Sequence, residues 1–312
     1  MRTKSPCLSD CSDSSLNANS TASKSCTWDG SNTTPSTSSP HLSPSFLAFK
    51  KLSMINEGAL QVVAPWAQLI DLAFECDSPD VAVDVLSQCA NLTSASMNVE
   101  WSLLPDVRPD IPIQFIHLRS LHLRLEVESA SFFDYLSTPA LQELELWLYG
   151  EDPIEPHFTA FQLQAPNITS LQFIIDPFCL TSENLVAAIR HASSLTHLTL
   201  CGCEESFTDD FIRALHNDGV TPLAPCLHNL VVNNRALNLT EDLLASMIAS
   251  RWWSDPELAA CAVPPAAARW TYVELQFGLG DEWHHFGPGF TDIVKDVPSH
   301  VLVHANYSEY FF

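Results

Sequence analysis

Positive charge is what this 312-residue sequence lacks most. Lys and Arg together number 14 against 37 Asp and Glu, a formal charge of −23. The only lysines are Lys4, Lys24, Lys50, Lys51 and Lys295. An acidic surface repels phosphate backbones and anionic lipid, so neither nucleic acid nor a membrane is expected as a partner. No run of apolar residues reaches the length of a membrane-crossing helix. The opening "MRTKSPCLSDCSDSS" has no apolar core of the kind a secretory signal carries. A cytoplasmic or nuclear location is expected, with the ten cysteines as reduced thiols. The N-x-S/T matches at Asn19, Asn32, Asn91, Asn167, Asn238 and Asn306 then read as chance.

Catalytic signatures are missing too. Glycine is scarce, with 9 residues, and those in "GLGDEWHHFGPG" (278–289) have the wrong spacing for a phosphate cradle. No P-loop, G-x-G-x-x-G, G-x-S-x-G or H-E-x-x-H is present. The expectation is a non-enzyme without a cofactor. Two clusters invite a metal reading. "LTHLTLCGC" (195–203) holds His197, Cys201 and Cys203, but no second ligand pair with zinc spacing follows, and the cysteines read as structural. His284, His285, His300 and His304, with Asp281 and Glu282, form the other cluster; "VLV" between His300 and His304 reads as a strand, so these read as surface or packing histidines.

Residues 1–45 are rich in serine and poor in apolar side chains. That composition cannot offset the entropy of ordering, so a disordered segment is expected there. Its Arg2, Lys4 and Lys24 balance Asp10, Asp13 and Asp29, which leaves the whole −23 in 46–312. Four Ser/Thr-Pro pairs, at Ser5, Thr34, Ser39 and Ser43, are candidates for proline-directed phosphorylation.

The remainder repeats. An L-x-x-L-x-L pattern begins at Leu69, Leu92, Leu118, Leu141, Ile168, Leu195, Leu227 and Trp270, with steps of 23, 26, 23, 27, 27, 32 and 43. Five of these steps lie within the range of about 20–29 residues typical of leucine-rich repeats. Leu-x-Leu places two side chains on one face of a short strand, which needs neighbours to bury it. Crossovers are supplied by helical patterns in "SPDVAVDVLSQC" (78–89), "TSENLVAAIRHA" (181–192), "TDDFIRALHNDG" (208–219) and "TEDLLASMIASRWW" (240–253). The last three open with a Thr or Ser cap and early acids, and the third closes on Gly219. The expected fold is an α/β leucine-rich-repeat solenoid, a horseshoe with a concave parallel sheet and convex helices. It covers 60–277, behind the disordered segment 1–45 and a linker or short helix at 46–59. An irregular cap is expected at 278–312.

On "PWAQLIDLAF" with "DVLSQCANL", on "SSLTHLTL", and on "LTEDLLASMIASRWW" before a weak last strand, the chain resembles the repeat region of fungal F-box proteins over roughly 60–277. The resemblance implies a substrate receptor whose repeats hold a protein and whose F-box docks on a cullin-type ubiquitin ligase. The apolar helical pattern of an F-box is not visible in 1–60.

A protein partner is expected on the concave face, at the non-leucine strand positions. These are Asp71, Glu75, Ser96, Asn98, His122, Arg124, Glu145, Trp147, Tyr149, Gln172, Ile174, His197, Thr199, Asn229, Asn233, Tyr272 and Glu274. Arg124, Trp147, Tyr149 and Tyr272 are of the types that dominate binding hot spots. Trp147 could instead pack under "GEDPIEPHF" (150–158).

Overall fold

The computed structural model describes residues 24–29, 49–56, 64–76, 79–99, 112–150, 154, 157–175, 180–218, 222–235, 238–261, 265–279, 282–283 and 285–304. Its elements run β1 (Lys24–Asp29), β2 (Phe49–Asn56), β3 (Asp71–Cys76), α1 (Pro79–Gln88), β4 (Ser94–Val99), β5 (Ile113–Gln114), β6 (Ser120–Glu126), β7 (Leu136–Ser137) and β8 (Glu143–Tyr149). They continue as α2 (His157–Gln164), β9 (Ser170–Ile175), α3 (Ser182–Arg190), β10 (His197–Cys201), α4 (Asp209–Leu215), β11 (Asn229–Asn234), α5 (Glu241–Ser250) and α6 (Asp255–Ala260). The last are β12 (Tyr272–Leu279), β13 (Glu282–Trp283), α7 (Pro288–Ile293) and β14 (Leu302–His304).

The fold is α/β, organised on a parallel sheet ordered β1-β2-β3-β4-β6-β8-β9-β10-β11-β12. Each strand lies beside the next main strand in the chain, and most are joined by a helical crossover. The repeat pattern explains the register. Leu72, Ala95, Leu121, Leu144, Leu171, Leu198, Leu230 and Val273 are successive cross-strand partners. So are Phe74, Met97, Leu123, Leu146, Phe173, Leu200, Val232 and Leu275. Both rows, and the eight residues that open the copies, are buried. A one-residue slip would turn every such side chain to the opposite face, so the apolar pattern fixes the pairing. Each fully buried leucine contributes about 1.5–3 kcal/mol.

The buried residues of the helices, such as Leu185 and Ile189 of α3 or Leu244 and Ile248 of α5, join the same core as the two strand rows. The helices therefore cover one face, and the opposite face of β3 to β12 is left to the polar positions. Between β6 and β8 the connection is a 3-10 helix, Val127–Tyr135, and its Phe133 packs against Phe158 and Phe161 of α2 at ring-centroid distances of 5.4 and 5.0 Å. A residue pair in β5 and β7 forms a separate two-stranded ladder.

Four expectations need correction. The stretch 46–59 contains strand β2, in which Leu52 and Met54 continue the inward rows opposite Leu72 and Phe74; its period-2 pattern suits a strand rather than a linker or helix. Within 1–45, Lys24–Asp29 forms β1, parallel to β2, because the edge of β2 offers a row of backbone partners; the rest of 1–45 lies outside the described residues. The stretch 278–312 is not irregular throughout: β13 pairs antiparallel and β14 parallel with β12, and α7 packs on α5 with the Gly287 N–H donating to Glu241 Oε2 at 2.7 Å. Finally, only one of the expected threonine caps forms, with Thr181 Oγ1 accepting the Asn184 N–H at 3.3 Å. Thr240 instead donates its N–H and hydroxyl to the Asp209 carboxylate at 2.7 and 2.9 Å, tying α5 to α4. Thr208 makes no side-chain cap either, its hydroxyl pairing with Ser182 Oγ at 2.5 Å. Gly219, expected to close α4, lies outside the described residues.

The two long steps of the repeat have local causes. The step to Leu227 holds a loop after α4 that Arg251 gathers in, donating to the carbonyls of Leu215, Leu223 and Ala224. The step to Trp270 holds the additional α6, with a reciprocal cap between Ser254 and Glu257 and no buried residue of its own.

Candidate functional site

The polar face is built from three rows of cross-strand neighbours. The first runs Asp71, Ser94, Ser120, Glu143, Ser170, His197, Asn229 and Tyr272. The second runs Ala73, Ser96, His122, Glu145, Gln172, Thr199, Val231 and Glu274. The third runs Glu75, Asn98, Arg124, Trp147, Ile174, Cys201, Asn233 and Gln276. Tyr149 stands beyond them, opposite Glu126. The candidate residues of the sequence reading thus share one surface. Ala73, Val231, Cys201 and Gln276 belong to it as well, and the alternation that marks Leu198 and Leu200 as inward marks Cys201 as outward.

Four clusters form on this face. At its centre Glu145 holds two neighbours, accepting from Trp147 Nε1 at 2.6 Å through Oε1 and meeting His122 Nδ1 at 2.8 Å through Oε2. Cross-strand pairing puts His122 and Glu145 opposite each other, and Trp147 lies two residues along the same strand and so on the same face. The hydrogen bond to Glu145 raises the His122 pKa above its ordinary value, burial opposing it, and the same bond holds Glu145 below the ordinary carboxylate value. Trp147 is 37% exposed with its indole N–H directed to Glu145; 151–153 and 155–156 of the loop that could cover it lie outside the described residues.

Beside it, the Arg124 guanidinium lies over the Tyr149 ring at 4.9 Å, within cation–π range. At the far end Tyr272 donates its hydroxyl to Glu274 Oε2 at 2.6 Å, and Gln276 Nε2 donates to Oε1 at 2.7 Å. Between these ends the His197 ring meets His228 edge to face at 5.1 Å, and His228 Nδ1 lies 3.2 Å from Asn229 Oδ1. Partial burial and the neighbouring His228 lower the His197 pKa. Gln172 and Thr199 occupy the second row between the clusters.

The cysteines of "CGC" have different places. Cys201 stands on the polar face, half-buried, its thiol pKa pushed up to about 11 by burial and then by Glu145 and Glu274. Such a thiol is a poor nucleophile at neutral pH. Cys203 is buried beyond the strand end, its N–H donating to Asn234 Oδ1 at 2.8 Å and its thiol to the Cys201 carbonyl at 3.6 Å. Gly202 between them has φ +69°, and a Cβ there would run into the Ile175 carbonyl oxygen. Among the described residues no three His, Cys, Asp or Glu side chains converge as metal ligands; Asp281 and His284 of the C-terminal cluster lie outside them. His285 and His300 are exposed.

Two hollows of about 700 and 440 Å³ open where the strands begin, sharing Arg119 and Ala140. Two of their amide side chains serve the backbone: Asn91 Nδ2 donates to the Ala67 carbonyl at 2.7 Å and Asn167 Nδ2 to that of Pro139 at 2.8 Å. Among the described residues no helix is long and apolar enough to cross a membrane. The chain matches no protein-family model, and no curated protein matches it in sequence.

Proposed function

We propose that this chain is a non-catalytic protein-recognition module, a leucine-rich-repeat solenoid whose polar sheet face holds a protein partner. One observation carries the reading: eight copies of the pattern stack in register, so their outward positions merge into a continuous surface with Trp147 exposed at its centre. A stack of repeats with helices on one side favours a horseshoe with that surface concave. The half-buried Cys201 thiol and the committed carboxylates Glu145 and Glu274 offer recognition chemistry more readily than nucleophilic or acid–base chemistry.

Within this class, the resemblance to the repeat region of fungal F-box proteins supports a substrate receptor that feeds a cullin-type ubiquitin ligase in the cytoplasm or nucleus. A repeat scaffold with no ubiquitin link is the alternative. The test is affinity capture from the source cells with the full chain and with an Arg124→Ala/Trp147→Ala variant, read by mass spectrometry. Proteins captured by the native chain and lost with the variant are the expected partners. Identical capture by both overturns the reading of the face. Ligase subunits captured by both forms support the receptor reading, and their absence while face-dependent proteins persist favours the scaffold.

A further inference from the structure

Two groups of carboxylates stand out among the described residues. Many sit in the first turn of a helix: Asp80 of α1, Glu183 of α3, Asp209 and Asp210 of α4, Glu241 and Asp242 of α5, and Asp255 and Glu257 of α6. The positive end of the helix accounts for these. The carboxylates of the sheet face have no such reason to be there. Across the three rows Asp71, Glu75, Glu143, Glu145 and Glu274 stand against one guanidinium, that of Arg124, and no lysine. Lys51, at the edge on β2, pairs with Asp71 at 2.8 Å.

Cross-strand neighbours of opposite charge stabilise a sheet, and this face makes little use of them. Glu143 has Ser120 and Ser170 on its two sides, and Glu274 has Val231. Within the rows of β4 to β12, His122 pairs with the carboxylate of Glu145 at 2.8 Å. Among the described residues this negative potential has little compensation, which suits a cationic partner. Two apolar side chains lie in the same field, the exposed Trp147 and its cross-strand neighbour Ile174. An indole is the best aromatic acceptor for a cation, and aliphatic stems of Lys and Arg pack on such surfaces.

We propose that the face takes an extended cationic segment of another protein, laid across the strands from β8 to β12, with Lys or Arg side chains at Glu143 with Glu145 and at Glu274. This rests on the reading of the face as a protein-recognition surface and names its substrate class. The geometry sets a spacing. From β8 to β12 there are four interstrand steps of about 4.8 Å, or about 19 Å. An extended chain covers that distance in about six residues. The recognised segment carries two basic clusters separated by that interval, with neutral or apolar residues over Trp147, Ile174 and Val231.

The test is fluorescence anisotropy with the full chain and a labelled Ser-Gly peptide carrying two arginine pairs about six residues apart, at an ionic strength of about 0.15 M, where exposed charges farther apart than a Debye length are screened. Glu143→Gln with Glu274→Gln is expected to weaken binding about five- to tenfold, the loss of two exposed ion pairs. Trp147→Ala weakens it further. Asp84→Asn with Asp292→Asn removes the same charge from exposed positions of α1 and α7 and is expected to change binding by less than about twofold. Equal losses from the two charge pairs mean general attraction to an acidic protein and overturn the proposal, as does failure of the native chain to bind. If the peptide fails while capture from cells still depends on Arg124 and Trp147, the cationic class is wrong and protein recognition stands. If that dependence is missing as well, both fall.

Discussion

Arg251 lies over the ring of Trp270 at 5.2 Å, and neither side chain is measurably exposed. The guanidinium donates through Nε to Leu215 O at 3.1 Å, through Nη1 to Ala224 O at 3.1 Å and through Nη2 to Leu223 O at 2.6 Å. Burial pushes its pKa down to about 10, still far above neutrality, so it is charged in the folded core. Its fork serves carbonyls on the loop that lengthens the sixth step of the repeat.

The first prediction concerns this residue. Arg251→Ala removes the donors of three carbonyls and leaves space beside Trp270, and is expected to cost about 3–5 kcal/mol. Arg251→Lys keeps the charge but not the fork, and is expected to restore only part of the loss. Urea unfolding followed by circular dichroism measures both. A loss below about 1 kcal/mol for Arg251→Ala would show that water replaces the guanidinium at no cost.

Gly202 gives a second prediction. Its φ of +69° suits glycine, and the Ile175 carbonyl oxygen occupies the space a Cβ would need. Gly202→Ala is expected to destabilise the protein by about 1–3 kcal/mol. The same unfolding experiment tests it, with Gly287→Ala as the comparison, since a Cβ there meets only Glu241 Oε2 at 3.4 Å.

The pair of His122 and Glu145 predicts a pH dependence. The folded-state pKa of His122 is raised above its ordinary 6.5 by the hydrogen bond to Glu145. Its contribution to stability is fully present below 6.5 and is lost as the pH rises through the raised value. Glu145 is lowered from 4.5, so its contribution is present above 4.5 and is lost as the pH falls through the lowered value. The pair stabilises most between 4.5 and 6.5. Its exposure keeps the effect below about 1 kcal/mol. An NMR titration of the His122 ring is expected to give a midpoint above 6.5 that returns toward 6.5 in Glu145→Gln. A midpoint unchanged by that substitution refutes the pairing.

Asp209 supplies the fourth. Its carboxylate accepts the Thr240 N–H and hydroxyl, and these bonds hold its pKa below the ordinary 3.8. Asp209→Ala is expected to speed hydrogen exchange of the Thr240 amide several-fold and to leave the amides of β10 unchanged, because the lost contact joins helix starts and not the sheet. In the native chain the tie is present above 3.8 and is lost as the pH falls through the lowered value. A change spread evenly over α4, α5 and β10 would mean that the contact holds the whole repeat.

Much of this arrangement was legible in the residues themselves. L-x-x-L-x-L copies identify their own strands, since alternation decides which side chains face inward, and the burial of one face decides the register. The outward positions follow from the same count, which is why the sequence alone places His122, Glu145 and Trp147 on one surface. Cys201 and Gln276 obey that rule too, Cys201 standing outward while Cys203 is buried past the turn. Three-dimensional packing decided the rest. The exposed edge of β3 recruits β2, and β2 recruits β1, although neither segment carries the repeat. Thr240 turns from its own helix to Asp209 because stacking brings the start of α4 within 3 Å. Local pattern reports what a residue does within its own strand or helix. Which group meets it from 31 residues away, as Asp209 meets Thr240, depends on how the repeats stack.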